Sequence, residues 1–306
     1  MAQVISCHYR PRIIRELIMK TMVVGAVLSA ALLCAGANVA QVQARVPAEV
    51  LARAELSMLV KGRIDVEPDG RVSAIRVDDE AEYSEAVMRF VRDTVRGWEF
   101  EPIIQQGQAV AFTTPMSLRL VASQAGGGAF DIRIASQSFS EYDPQDRSIV
   151  RNDRMQPPRY PEAAYRAGIT GTVYLALAVG RDGKVVEVAA KQVDLTSAGN
   201  ERQMQQARQI LADASLQAAR RWTFLPPETG DDAVAQSWVV QVPVSFQLAG
   251  TAERLPSSRW LPYIPGPRLE VPFLQDEDEP VNTALADGGV YMSGRTGPRL
   301  KLPQDN

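Results

Sequence analysis

The sequence Trp222-Thr223-Phe224-Leu225-Pro226 repeats the pattern of Trp98-Glu99-Phe100-Glu101-Pro102 in the first half of the chain. Both copies follow apolar residues at three- and four-residue spacing and precede one alternating apolar run. The first spacing is typical of an amphipathic helix, and the alternation is typical of a half-buried strand. Because internal similarity over a fixed order of elements indicates repeated units, the chain is predicted to contain two copies of one small module.

The similarity extends upstream of both tryptophans. Asp69-Gly70 in the earlier copy corresponds to Asp182-Gly183 in the later copy, and each pair separates two alternating apolar runs. Glycine tolerates the positive φ that a tight connection requires, so each Asp-Gly pair predicts a β-hairpin.

Each copy closes with an alternating run that contains a proline, Pro115 in residues 110–121 and Pro243 in residues 237–248. Proline has no N–H to donate to a neighbouring strand. Both closing strands are therefore predicted to lie at a sheet edge or to carry a bulge.

Composition indicates an ordinary globular protein. The 306 residues are 45% hydrophobic and 23% charged, which leaves room for about two domains. The net charge of -3 gives no electrostatic basis for binding nucleic acid.

The first residues of the chain have the features of a targeting segment. Four basic residues precede the apolar stretch 21–37, namely Arg10, Arg12, Arg15 and Lys20, and Val42-Gln43-Ala44 matches a small-residue cleavage site. Residues 1–44 are therefore predicted to be a cleaved signal peptide or an uncleaved membrane anchor. Both alternatives place the rest of the chain outside the cytoplasm.

Cysteine and histidine occur only in this segment, as Cys7, His8 and Cys34. A disulfide scaffold, a thiol nucleophile and histidine catalysis are therefore excluded for the exported part. No nucleophile elbow, phosphate loop or metal-ligand spacing occurs there either, and the acidic run 276–279 is typical of solvated surface. We expect neither an enzyme nor a bound metal or cofactor.

Four motifs together resemble the C-terminal domain of the TonB family of energy transducers. They are P-R-Y-P-E-A-A-Y-R-A-G-I-T-G at 158–171, D-G-K-V at 182–185, W-T-F-L-P at 222–226 and V-P-V-S-F-Q-L at 242–248. The resemblance covers residues 155–250 well and residues 47–122 weakly, because the earlier copy lacks the Tyr-Pro pair. The chain is thus interpreted as tandem copies of which the first is degenerate.

The resemblance implies an α+β fold of two small modules, each a three-stranded antiparallel sheet with two helices on one face. It divides the chain into a degenerate module at 45–122, a linker at 123–154, a TonB C-terminal domain at 155–250 and an extended, Pro-rich acidic tail at 251–306.

The resemblance also implies partners. Family members bind TonB-dependent outer-membrane receptors, whose short TonB box adds a strand to the last strand of the domain, and this mode is β-augmentation. The matching positions here are Arg159, Tyr160 and Pro161 beside the box, and the edge strand with Trp238, Val240, Val242 and Val244. Arg159 stands where many members have Gln, which favours an acidic or polar position on the partner.

Two functions remain open. The first is support of energy-dependent transport of iron complexes, vitamins or other nutrients across the outer membrane, coupled to the ExbB–ExbD motor from the periplasm or from an inner-membrane anchor. The second is a periplasmic adaptor or scaffold without motor coupling, because His8 precedes the apolar stretch and no long Pro-rich spacer follows it. Pairing of edge strands into a homodimer also stays open.

Overall fold

The computed structural model describes residues 6–9, 54–126, 129–248, 258–274, 281–295 and 297–301. Its secondary structure is α+β, as predicted, with two five-stranded sheets that are antiparallel except for one parallel pair. The predicted targeting segment lies outside the described residues apart from a short strand, β1 (Ser6–Tyr9). None of the helices within the described ranges has the length and apolar character needed to cross a membrane.

We call residues 54–122 the first module. Its elements are β2 (Glu55–Val66), β3 (Val72–Val77), α1 (Glu85–Arg96), β4 (Ile103–Gln105), β5 (Gln108–Val110) and β6 (Phe112–Gly126), whose last residues extend past the module. β2 is central and pairs antiparallel with β6 along its length and with β3 over its second half. The helix begins at Ser84, whose Oγ accepts a hydrogen bond from the N–H of Val87.

We call residues 155–248 the second module. Its elements are α2 (Glu162–Arg166), β9 (Gly171–Gly180), β10 (Val185–Leu195), α3 (Glu201–Ala219), β11 (Thr223–Leu225) and β12 (Ser237–Leu248). Of these, β9, β10, α3 and β12 follow the order of β2, β3, α1 and β6, whereas α2 has no counterpart among the described residues of the first module. β9 is central, between β10 and β12. A capping box starts α3, because Asn200 and Gln203 each accept a hydrogen bond from the backbone N–H of the other.

The two repeated motifs meet in each module through one backbone contact. The N–H of Phe100 donates to the carbonyl of Gly70, and the N–H of Phe224 donates to the carbonyl of Gly183, both at 2.8 Å. A Cβ on either glycine would lie 2.1 Å from the carbonyl oxygen of that phenylalanine, and both glycines have positive φ. The Asp-Gly turn and the Trp-x-Phe-x-Pro sequence therefore occur together because one packs directly on the other.

Each module encloses its own apolar core between helix and sheet. In the second module, β9 directs Val173, Leu175, Leu177 and Val179 into a core that also contains Trp222 and Phe224. In the first module, β2 and β6 do the same around Phe100. This burial provides the main stabilisation of both modules.

The stretch 123–154, predicted as a linker, contains two strands. β7 (Ala129–Ser138) pairs antiparallel with β6 as the fourth strand of the first sheet, and β8 (Arg151–Arg154) pairs with β11. Gly126, the last residue of β6, pairs with Ala129, the first residue of β7.

The described parts of the predicted tail lie against both modules. β13 (Leu261–Tyr263) pairs with the start of β2, and the next residue, Ile264, exchanges two backbone hydrogen bonds with Leu195 at the end of β10. β14 (Tyr291–Met292) pairs with β12. The last described residues bond to the first module, since the N–H of Glu101 donates to Arg299.

Candidate functional site

The outer edge of β12 is the candidate site, and its backbone orientation follows from one hydrogen bond. The carbonyl of Val239 accepts from the N–H of Ser293 on the tail, at 2.8 Å, so Val239 faces away from β9. Because successive residues of a strand alternate in direction, Gln241, Pro243, Ser245 and Gln247 face the same way. Pro243 therefore stands at a position where an N–H would point off the sheet.

The four predicted contact residues of β12 face the opposite way. Trp238, Val240, Val242 and Val244 are buried in the core of the second module. Their period of two places their side chains beneath the helices and their backbone groups toward β9. The groups that a new strand would meet belong instead to the alternate residues, which the apolar pattern of the sequence does not mark.

Two short strands occupy this edge. β14 covers Val240 and Gln241 in antiparallel pairing. β1 covers Ser245–Leu248 in parallel pairing, with Ser6 opposite Ser245 and Tyr9 opposite Leu248. The prediction that β12 lies at a sheet edge is therefore wrong for the residues that these strands cover, because β12 pairs there on both sides in a five-stranded sheet. Pro243 falls in the gap between the two added strands.

Tyr160 lies at the end of β12 that β1 covers. Its ring meets the ring of Phe246 edge-on at a centroid distance of 5.5 Å, and its hydroxyl donates to the carbonyl of Ile169. Pro161 is the N-cap residue of α2, and Arg159 is exposed. The structure thus brings the Arg-Tyr-Pro segment and the second half of β12 together, with Tyr160 fixed as a packing residue and Arg159 directed to solvent.

The tail places the carboxylate of Asp287 behind the same strand. Asp287 accepts a hydrogen bond from Ser245 Oγ at 2.7 Å, and burial raises the pKa of this carboxyl. The positive charges of Arg119 and Lys61 on the first module oppose that rise of the pKa. Arg119 also donates through Nε and Nη2 to the carbonyl of Thr283, so the tail residues around Asp287 contact both modules.

A cavity of about 620 Å³ lies between α2 and α3. Its lining includes Ala163, Ile169, Met204 and Ile210 and contains no ionisable side chain. A site for acid–base chemistry needs titratable groups within hydrogen-bond reach of a substrate. This cavity offers apolar contacts and the neutral polar side chains of Ser197, Asn200, Gln203 and Gln206, but no titratable group.

Comparison with known proteins finds a family model that matches the second module. Residues 156–248 match the family model described as Gram-negative bacterial TonB protein C-terminal. No solved structure gives a significant match.

Curated relatives match about a third of the chain. Protein TonB of Xanthomonas campestris pv. campestris is 33% identical over 99 residues, which are 32% of this chain and 38% of that protein. Protein tonB2 of Pseudomonas aeruginosa is 36% identical over 91 residues, which are 30% of this chain and 28% of that protein. The chain therefore spans less than two fifths of the length of these relatives.

Proposed function

We propose that this protein supports energy-dependent transport across the outer membrane by adding receptor segments to β12, because residues 156–248 belong to the TonB C-terminal family. A domain of this family is not an enzyme, in agreement with the sequence. The proposed location is the periplasm, and the proposed partners are TonB-dependent receptors with a TonB box.

One observation supports strand addition more than any other. β1, a segment of only four residues, lies in register along Ser245–Leu248 as an added strand. Main-chain hydrogen bonds do not depend on the side chains of the added segment, so a short extended peptide of another protein can pair in the same way. Ser245–Leu248 would pair with such a segment as these residues pair with β1.

The predicted export would remove β1 from Ser245–Leu248. A cleaved signal peptide would leave the periplasmic protein without residues 6–9. An uncleaved anchor would leave these residues on the cytoplasmic side, because Arg10, Arg12 and the other basic residues follow them and precede the apolar stretch. On either alternative, β1 and the second module are separated, and a receptor segment takes the place of β1.

The residues beside this edge set the preference for the partner. Tyr160 supports Phe246 from below the strand, whereas Arg159 is exposed and is found in no ion pair among the described residues. An exposed guanidinium favours an acidic or polar residue on the incoming segment through charge-assisted hydrogen bonds.

Disulfide trapping tests this proposal. In the natively exported protein with Cys7 and Cys34 replaced by serine, Gln247→Cys is combined with single cysteines along the TonB box of a receptor from the same bacterium. Gln247 is exposed at the outer edge. We expect crosslinks whose yield alternates with a period of two along the box, as strand pairing requires.

Ser73→Cys on β3 is the matched control, because Ser73 is an exposed residue of an edge strand in the first module. Equal trapping at Ser73 and Gln247, or a yield without alternation, would contradict strand addition at β12.

The sequence leaves two functions open, a transducer and an adaptor. They differ in whether the protein couples to the ExbB–ExbD motor. We include motor coupling in the proposal on the strength of the family assignment. Fractionation of the native protein with N-terminal sequencing tests it, since a soluble periplasmic form that begins near Arg45 would have no membrane segment to meet the motor.

A further inference from the structure

β7 is the last strand of the first sheet and has one free edge. It pairs with β6, and no other strand in the described ranges pairs with it. Tail residues contact its final part, where Asn282 donates to the carbonyl of Gln137 and Ser136 Oγ lies 2.8 Å from Thr283 Oγ1. Residues 129–135 therefore present unpaired backbone groups along their outer side.

The open stretch is regular and centred on one residue. Pairing of β7 with β6 is irregular opposite Arg119 and Leu120 and again near the glycine turn, but residues 130–134 pair without a shift. Ile132 is the middle residue of this regular stretch and also of the open stretch 129–135. Bulges on both sides limit any added strand to this short length.

The sequence around Ile132 is complementary to itself in antiparallel pairing. If Ile132 lies opposite Ile132 of a second copy, Asp131 of each copy lies opposite Arg133 of the other. Both charged side chains are exposed, and directly opposite positions bring side chains within contact distance. Arg133 Nη2 lies 2.8 Å from Glu55 Oε1, and a guanidinium with five N–H groups can bind a second carboxylate as well.

The same pairing would also extend the apolar face of β7 into the second copy. Ile134 packs partly against the core of the first module, and Ile132 lies on the same face of β7. Two copies of Ile132 would then meet beside each other, so the apolar surface of one sheet would continue into the next.

We propose that two copies of this chain associate by antiparallel pairing of β7, in register about Ile132, to form one continuous sheet with a twofold axis. This isologous contact requires the same patch from both copies and closes at a dimer. It goes beyond the proposed receptor binding and does not depend on it, because β12 belongs to the other sheet and stays available in both copies.

Charge exchange tests the register of this dimer. Asp131→Arg places two arginines opposite each other at both pairs, and Arg133→Asp places two aspartates there. Each single variant is expected to weaken dimerisation by about 10- to 100-fold in sedimentation of the natively exported protein. An equimolar mixture of the two variants restores both opposite-charge pairs and is expected to recover the dimer as a heterodimer.

Two further variants serve as controls. Arg89→Asp on exposed α1 changes the net charge as Arg133→Asp does and should leave the association unchanged. Glu55→Gln removes the partner of Arg133 within the chain and should also leave the dimer in place. A wild-type protein that stays monomeric as its concentration is raised, a dimer that resists both single variants, or a mixture that fails to recover association would overturn the proposal.

Discussion

β6 and β12 hold corresponding places in the two modules, but their outer edges are covered differently. The outer side of β6 is covered by the ten-residue strand β7, which follows β6 in the chain and pairs with it from Ser117 onward. On β12, two strands of two and four residues come from distant parts of the chain. In a sheet, a partner that follows directly along the chain closes the edge at a small entropic cost, whereas distant short strands pair weakly.

On both strands, the proline lies where pairing on the outer side is interrupted or begins. Pro115 lies just before the pairing of β7 begins, and Pro243 lies between β14 and β1. In the first module the closing strand is thus an inner strand of a five-stranded sheet that pairs with β7 from Ser117 onward, whereas the outer side of β12 is covered only by two short strands. This contrast is the reason why we propose receptor binding for the second module and not for the first.

The largest expected effect comes from the phenylalanines that both modules share. Phe100→Ala and Phe224→Ala should each lower the free energy of unfolding by about 3–5 kcal/mol, because both side chains are buried and would leave cavities. Urea denaturation measures this. Only Phe224→Ala should also remove binding of a receptor TonB-box peptide, measured by calorimetry.

The half-exposed Leu225 provides the control for this pair, since Leu225→Ala on the same strand should change stability by less than about 0.5 kcal/mol. Loss of peptide binding in Phe100→Ala while the second module stays folded would remove the division of roles between the modules.

A smaller effect is expected from weakening the cover on β12. Ser293→Pro removes the N–H that bonds to Val239 and should strengthen binding of the TonB-box peptide about 2- to 10-fold, as one lost hydrogen bond predicts. Ser293→Ala keeps that N–H and removes a buried hydroxyl that has no partner among the described residues. The alanine variant should therefore bind the peptide as the wild type does, and unchanged binding in the proline variant would mean that β14 does not compete.

The docking of the tail on β12 should depend on pH through Asp287. Burial raises the pKa of this carboxyl, so the docked tail is favoured while Asp287 is protonated and loses stability as the pH rises through the raised pKa. Hydrogen-exchange protection factors of residues 284–293 should therefore be larger in mild acid than at neutral pH.

Asp287→Asn should remove part of this dependence, because the amide stays neutral and still accepts from Ser245. Asp194, whose pKa is also raised by burial, would retain the rest. Protection factors in the variant that follow the same pH curve as the wild type would assign the effect to another group.

The smallest effect is expected at Arg159. Arg159→Glu should weaken binding of a TonB-box peptide with an acidic or polar residue about 2- to 5-fold, as an exposed charge pair predicts, without changing stability. Arg166→Glu is a control of equal charge change on exposed α2. Identical peptide affinities in both variants would show that Arg159 does not contact the partner.

Local signals allowed much of the fold to be predicted. The Asp-Gly turns, the helical spacing and the alternating strands each depend on residues close together in sequence. The α+β class is confirmed, and residues 156–248 match the TonB C-terminal family model. The duplication stays a prediction, supported by the order of elements and by the shared contact between Phe and Gly.

The site was harder to predict, because one period of two governs both side-chain direction and hydrogen-bond direction in a strand. The valines of β12 stand out in the sequence since they are apolar, and for that reason they are in the core. The backbone groups of Val239, Gln241 and Gln247 point to the outer side of β12, but these three residues share no chemical feature that the sequence would show.

The sequence alone determined the turns, the helices, the strands and the apolar faces that form the cores, because these follow from local conformational preference and hydrophobic periodicity. Only the tertiary structure decided which sheet edge is closed. That outcome depends on pairing between residues far apart in the chain, such as β13 with β2 and β14 with β12, and backbone hydrogen bonds of this kind form with almost any side chain and leave no pattern in the sequence.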